Sequence, residues 1–222
     1  MSLALKVCGM LHNTAEVAQL QPDYLGFIFY EKSPRYVSQP NIEELNYNAK
    51  GLKAPQNVGV FVNASVNYII EKSSAFNLNV IQLHGEESVA FIKSLSTAIA
   101  SATTLQPLKL WKVFSIKDYF NFEILKDFEP FVDAFLFDTK GKDKGGNGFT
   151  FNWSVLKDYP NKTPIILSGG IGPEHVADLK QLLNTNLPIV AIDVNSKFED
   201  KPGFKNSKTL KSFINDIAVL RH

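Results

Sequence analysis

Residues 57–83, NVGVFVNASVNYIIEKSSAFNLNVIQL, hold two short β-rich runs on either side of an amphipathic stretch. The runs at 57–62 and 80–83 are built from Val, Ile, Leu and Phe and are closed by polar residues, as buried strands are. Residues 65–76 between them have the pattern of a helix, and Ser65 stands where a hydroxyl caps a helix start. Strand, helix and strand in that order call for parallel strands covered by helices.

The same unit repeats in both directions. Further strands are expected at 5–8, 24–29, 110–114, 134–138, 165–168 and 189–193, with helical stretches at 14–20, 42–47, 87–97, 116–128, 153–157, 173–183 and 207–220. Thr14 and the pair Gly172-Pro173 read as further helix starts. Eight alternating units in 222 residues point to a single (β/α)8 barrel (the TIM-barrel architecture) filling one domain over residues 1–222. An open doubly wound sheet fits less well, because the first strand–helix turn carries no G-x-G-x-x-G.

Composition narrows the partners. The apolar share of 45% supports a large core, and a net charge of +1 speaks against a nucleic-acid binder. Cys8 is the only cysteine, so no internal disulfide forms, in keeping with a cytoplasmic protein. No apolar run reaches the roughly 18 residues of a membrane span. Neither the four histidines nor the single cysteine shows metal-ligand spacing, so no metal is expected. The loop 140–149 is glycine-rich, but it lacks the G-K-[ST] ending of a phosphate loop.

In such barrels chemistry sits at the C-terminal strand ends. That rule selects Cys8-Gly9, the stretch from Phe29 to Arg35, Asn63, His84-Gly85, Ser115, Asp138-Thr139, Ser168-Gly169-Gly170 and the stretch from Asp193 to Ser196. Lys6 lies two residues before Cys8 and shares its face of the strand. Strand eight neighbours strand one in a closed barrel, so Lys6 is expected to be buried and paired with Asp193. A cation beneath Cys8 is expected to favour its thiolate. Each residue also has a plainer reading taken alone: Cys8 as a small core residue, Asp138 as a turn cap, Arg35 as a surface ion pair, His84 as a pocket-lining structural residue.

Seven segments decide between these readings. They are LKVCGM (5–10), DYLGFIFYEKSPRYV (23–37), VGVFVN (58–63), VIQLHGEE (80–87), FLFDTKGKDKGGNGFTFNW (135–153), ILSGGIGPEHV (166–176) and AIDVNSKFEDKPGFKN (191–206). In this order, each at a strand end, they resemble the phosphoribosylanthranilate isomerases along nearly the whole chain. The resemblance implies an aldose–ketose isomerase of tryptophan biosynthesis that rearranges N-(5-phosphoribosyl)anthranilate without a cofactor. It implies Cys8 as general base, Asp138 as general acid and Arg35 at the anthranilate moiety. His84 and Asp193 are expected to line the substrate. Gly169, Gly170, Asn195 and Ser196 lie in the loops after strands seven and eight, where such barrels bind phosphate. The expected partner is a small phosphosugar, with neither nucleic acid nor membrane, and the chain is expected to act as a monomer or homodimer.

The chemistry explains the residue types. An acid opens the sugar ring by protonating its oxygen, and a base then removes the C2 proton beside the resulting iminium. The carboxyl must hold its proton and the thiol must lose its own, each against its habit at neutral pH. Two departures from the family pattern stand out. Lys197 replaces a usual glycine after strand eight, and Asn147 replaces a usual threonine in the 140–149 loop. A non-catalytic or differently specific phosphosugar-binding barrel is the alternative; the presence of both Cys8 and Asp138 argues against it.

Overall fold

The computed structural model describes residues 3–40, 53–102, 107–139, 150, 152–160 and 162–220. Eight parallel strands close into a barrel: β1 (Ala4–Cys8), β2 (Tyr24–Ile28), β3 (Gln56–Phe61), β4 (Val80–Leu83), β5 (Lys109–Ile116), β6 (Ala134–Thr139), β7 (Ile165–Leu167) and β8 (Ile189–Val194). Closure comes from β8 against β1, with Lys6 opposite Asp193 and Val7 opposite Val194. Among the described residues five α-helices cover it: α1 (Thr14–Ala18), α2 (Val66–Ala75), α3 (Val89–Ser101), α4 (Val176–Leu183) and α5 (Ser207–Asp216). A small antiparallel hairpin, β9 (Glu199–Lys201) with β10 (Phe204–Lys205), follows β8 at the C-terminal strand ends. The expected helix at 42–47 and the loop 140–149 lie outside the described residues.

Strand alternation sorts the core into two parts. Val58, Val80, Trp111, Val113, Ala134, Leu136, Ile166 and Ala191 fill the barrel interior. The residues between them, among them Leu25, Ile81, Phe135, Phe137 and Ile192, face outward onto the helices. The strands are buried on both faces, which is why they read as near-continuous apolar runs.

Local signals set several helix starts. The Ser65 hydroxyl accepts the Tyr68 amide at 3.3 Å, and Ser88 does the same for Phe91 at 3.2 Å. Asn206 caps α5 through the Thr209 amide at 2.9 Å. Thr14 is not a cap: Asn13 precedes α1, and its side chain instead bonds the Lys205 backbone on β10 and the Glu16 carboxylate.

The expected helix at 116–128 is replaced by other structure. Ile116 is the last residue of β5, paired with Thr139. The Asn121 side chain then starts a 3-10 turn (Phe122–Asp127), and a second short turn (Glu129–Phe131) contains Pro130. Proline removes an amide donor, and three aromatic residues within residues 120–128 favour ring packing over a helical ladder. Phe120 and Phe122 lie 5.7 and 6.1 Å from Phe137, and Phe122 lies 5.7 Å from Tyr159. A cluster of rings covers the barrel here in place of a helix.

Phe137 is fully buried at the centre of that cluster. Phe137→Ala is expected to lower the unfolding free energy by about 3–5 kcal/mol, whereas trimming the exposed Ile124 to Ala is expected to change it by less than about 0.5 kcal/mol. Chemical denaturation midpoints of the two variants check this.

Candidate active site

A cavity of ≈ 570 Å³ opens at the C-terminal strand ends. Cys8, Arg35, His84, Asp138, Gly169, Gly170, Asp193, Asn195 and Ser196 line it, whereas Gly9, Asn63, Gly85, Ser115 and Thr139, also selected at strand ends, do not. Ile28, Tyr30, Lys32, Pro34, Gln82, Ser168 and Lys197 line it as well. Among the described residues no group of His, Cys, Asp and Glu is placed to hold a metal ion.

The floor is a buried ion pair. The Lys6 ammonium, 0% exposed, lies 2.9 Å from Asp193 Oδ1. The other carboxylate oxygen of Asp193 accepts the Ser168 hydroxyl at 3.2 Å. Space for this pair comes from Gly26 on β2: a Cβ there would stand 2.9 Å from the Cys8 sulfur and 3.2 Å from Lys6 Cε. Burial alone would discharge Lys6, but Asp193 and Cys8 together hold its pKa above the ordinary lysine value.

Cys8 ends β1 directly above Lys6. The sequence argument expected the cation to favour the thiolate. The structure corrects the net sign. Burial pushes the thiol pKa up and outweighs Lys6, whose charge and hydrogen bond pull it down; Asp193 pushes it further up. Lys205 is a second cation pulling down on the same sulfur. Burial and Asp193 thus favour the thiol, against the pull of Lys6 and Lys205.

Asp138 is the penultimate residue of β6, which is separated from β1 by β7 and β8 around the barrel. Its Oδ1 accepts the Thr139 amide at 2.9 Å. Its Oδ2 lies 3.3 Å from His84 Nε2, within ion-pair reach but not aligned as a hydrogen bond. His84 Nδ1 lies 3.2 Å from Gln82 Nε2. A Gln82 amide donating to Nδ1 places the imidazole proton on Nε2, the nitrogen nearer Asp138. Gln82 Oε1, His84 Nε2 and Thr139 Oγ1 are buried without a hydrogen-bond partner.

Arg35 sits on the loop after β2 and is not at a surface ion pair. Glu199 of β9 binds it along one edge, taking Nε at 3.0 Å and Nη2 at 2.6 Å. Glu199 also takes the Lys205 ammonium at 2.7 Å, and Lys205 bonds the Asn195 side chain at 2.7 Å. Burial opposes the Glu199 charge, but the two cations hold its carboxyl below the usual range. Gly9 allows this crowding, since a Cβ there would lie 2.6 Å from both Arg35 Cδ and Asn195 Oδ1. A second buried pair fixes the loop bearing His84. Lys112 bonds the Gly85 carbonyl at 2.8 Å and Glu87 at 3.0 Å, and Glu87 accepts the amides of Asn63 and Gly85.

Sequence reasoning missed Gln82, Glu199 and Lys205. Gln82 carried a signal, because it lies two residues before His84 on the same strand face. Glu199 and Lys205 carried none, since only the β9–β10 hairpin brings them to Arg35.

Comparison with known proteins agrees with this geometry. Residues 5–216 match the family model described as N-(5'phosphoribosyl)anthranilate (PRA) isomerase. The N-(5'-phosphoribosyl)anthranilate isomerase of Parabacteroides distasonis is 39% identical over 97% of this chain and 93% of its own length. The phosphoribosyl anthranilate isomerase structure from Thermotoga maritima superposes with TM-score 0.72 at 29% identity, covering 98% of this chain and 100% of that one. A phosphoribosyl anthranilate isomerase in complex with reduced 1-(o-carboxyphenylamino)-1-deoxyribulose 5-phosphate superposes with TM-score 0.71 at 26% identity, covering 98% and 100%.

With a single cysteine, alkylation reports on one site. The pH profile of Cys8 alkylation in the unliganded protein is expected to have its midpoint above the ordinary thiol value of 9.0. A midpoint below that value would show that Lys6 and Lys205 overcome burial.

Proposed function

The chain belongs to the phosphoribosylanthranilate isomerase family, and on that premise we propose how its barrel mouth performs the reaction. The activity is an aldose–ketose isomerisation in tryptophan biosynthesis, converting N-(5-phosphoribosyl)anthranilate to 1-(2-carboxyphenylamino)-1-deoxyribulose 5-phosphate. One observation carries the assignment of roles: the Cys8 thiol and the Asp138 carboxyl line the same cavity from strands separated by β7 and β8.

In this reading Asp138 donates its proton to the furanose ring oxygen while the anilino nitrogen pushes the ring open to an iminium. Cys8 then takes the C2 proton, leaving an enolamine that tautomerises to the ketone. The raised thiol pKa fits this order. Such a thiol is a stronger base once ionised. The iminium created by ring opening adds a positive charge to that of Lys6, so ionisation is favoured when the base is needed. His84, held by Gln82, orients the Asp138 carboxyl.

The two ends of the substrate are held by different means. Arg35 has one edge locked by Glu199 and offers the rest of its fork to the anthranilate carboxylate, with Tyr30 and Pro34 beside the ring. Gly169 and Gly170 adopt φ of 90° and 65°, a backbone open to glycine and costly for other residues. With Asn195 and Ser196 they bring backbone and small polar groups to the phosphate. We read the protein as a one-domain enzyme over residues 1–222, cytoplasmic, and monomeric or homodimeric. No described helix is long and apolar enough to cross a membrane.

Expression of the chain is expected to restore growth of a tryptophan auxotroph lacking this isomerase. Cys8→Ala and Asp138→Asn are each expected to lower kcat by about 10²- to 10⁴-fold, the share of one proton-transfer group, while both variants still bind the product in calorimetry. Arg35→Ala is expected to raise KM with a smaller change in kcat. Wild-type turnover in Cys8→Ala would remove the thiol from the mechanism.

A further inference from the structure

Lys197, on the loop after β8, and Glu174, on the loop after β7, meet at the mouth of the cavity. Lys197 Nζ lies 2.8 Å from Glu174 Oε1, and the two side chains are 35% and 49% exposed. Lys32, Arg35 and Lys197 are the cations among the described residues lining the cavity. Lys32 and Arg35 belong to the loop after β2, and Arg35 is engaged by Glu199. Lys197 directly follows Asn195-Ser196, and its partner Glu174 lies four residues beyond Gly170. It is therefore the lining cation at the end where glycine backbone and small polar groups would otherwise face a dianion alone.

We propose that Lys197 is a phosphate-binding residue of the substrate site, held in reserve by Glu174, so that carboxylate and phosphate compete for one ammonium. This rests on the reading that the loops after β7 and β8 hold the substrate phosphate. The root of Lys197 is fixed, because the next residue, Phe198, is fully buried and packs 4.9 Å from Phe213 of α5. The head is free to move on four methylenes. Its bond to Glu174 is half-exposed, and such pairs are weak. A phosphate dianion carries about twice the charge of a carboxylate and attracts the ammonium more strongly at equal distance. Glu174 is not stranded by the exchange. Its carboxylate also bonds its own backbone amide, has the His175 ring 3.8 Å away and faces water.

The plain alternative is that the pair only ties the two loops together. The two readings differ in sign. If the pair is a tie, breaking it from either side loosens the cradle, and both variants weaken phosphate binding. If Glu174 competes with phosphate, the variants move in opposite directions. The probe is inorganic phosphate as a competitive inhibitor of isomerase turnover. Lys197→Met is expected to raise the phosphate inhibition constant about threefold or more, Glu174→Gln to lower it, and Lys197→Arg to stay near wild type. Thermal melts confirm that each variant is folded. Unchanged constants, or shifts in the same direction, with wild-type inhibition intact, would overturn the role of Lys197 and leave the phosphate cradle standing. Absence of competitive inhibition in the wild type would overturn the cradle and the proposal together.

Discussion

The mouth of this barrel is organised by one buried charge. Lys6 lies inside the closed sheet with no solvent contact, and a lysine there keeps its proton only if an anion meets it. Asp193 does so across the β1–β8 seam, at the register position that closes the barrel. Closure of the sheet and electrostatics of the site are thus the same contact. Removing one partner of such a pair costs about 3–5 kcal/mol, because the other charge is left buried and alone. Two apolar residues of similar volume would cost far less. The pair is better explained by what it holds above it, the Cys8 sulfur, than by stability.

The rest of the rim uses the same device behind Arg35 and behind the loop bearing His84. Glu199 of the β9–β10 hairpin holds Arg35 and is itself held by Lys205, and Asn13 ties that hairpin back to the start of α1. Lys112 and Glu87 fix the loop bearing His84. Each network satisfies groups behind the cavity wall, while Gln82 Oε1 and His84 Nε2, on lining residues, have no hydrogen-bond partner. Satisfied groups behind and open groups in front give a site that is preorganised for a polar ligand, with little left to rearrange when one binds.

What the sequence revealed followed from periodicity and adjacency. The strands were legible because residues buried on both faces leave apolar runs, and the Lys6–Asp193 pair followed from two-residue alternation plus barrel closure. Cys8, Asp138 and Arg35 were legible through motifs at strand ends. Helix caps were legible at Ser65 but not at Asn13, whose side chain is taken by a residue nearly two hundred positions away. The region after β5 was misread because an aromatic cluster and a helical face contain similar residues, and only tertiary ring packing separates them. The Arg35–Glu199 pair joins residues 164 positions apart and leaves no local pattern.

The thiol at Cys8 shows most clearly why residue identity alone did not fix the chemistry. A cation two residues away suggests a thiolate, and the cation is indeed there. Yet the same burial that forces Lys6 to pair also penalises a charged sulfur, and Asp193, needed to hold Lys6, repels the negative charge as well. The contact that places the cation thus spends much of its field on the carboxylate. A thiol favoured over its thiolate is the consequence of burying all three groups in one seam.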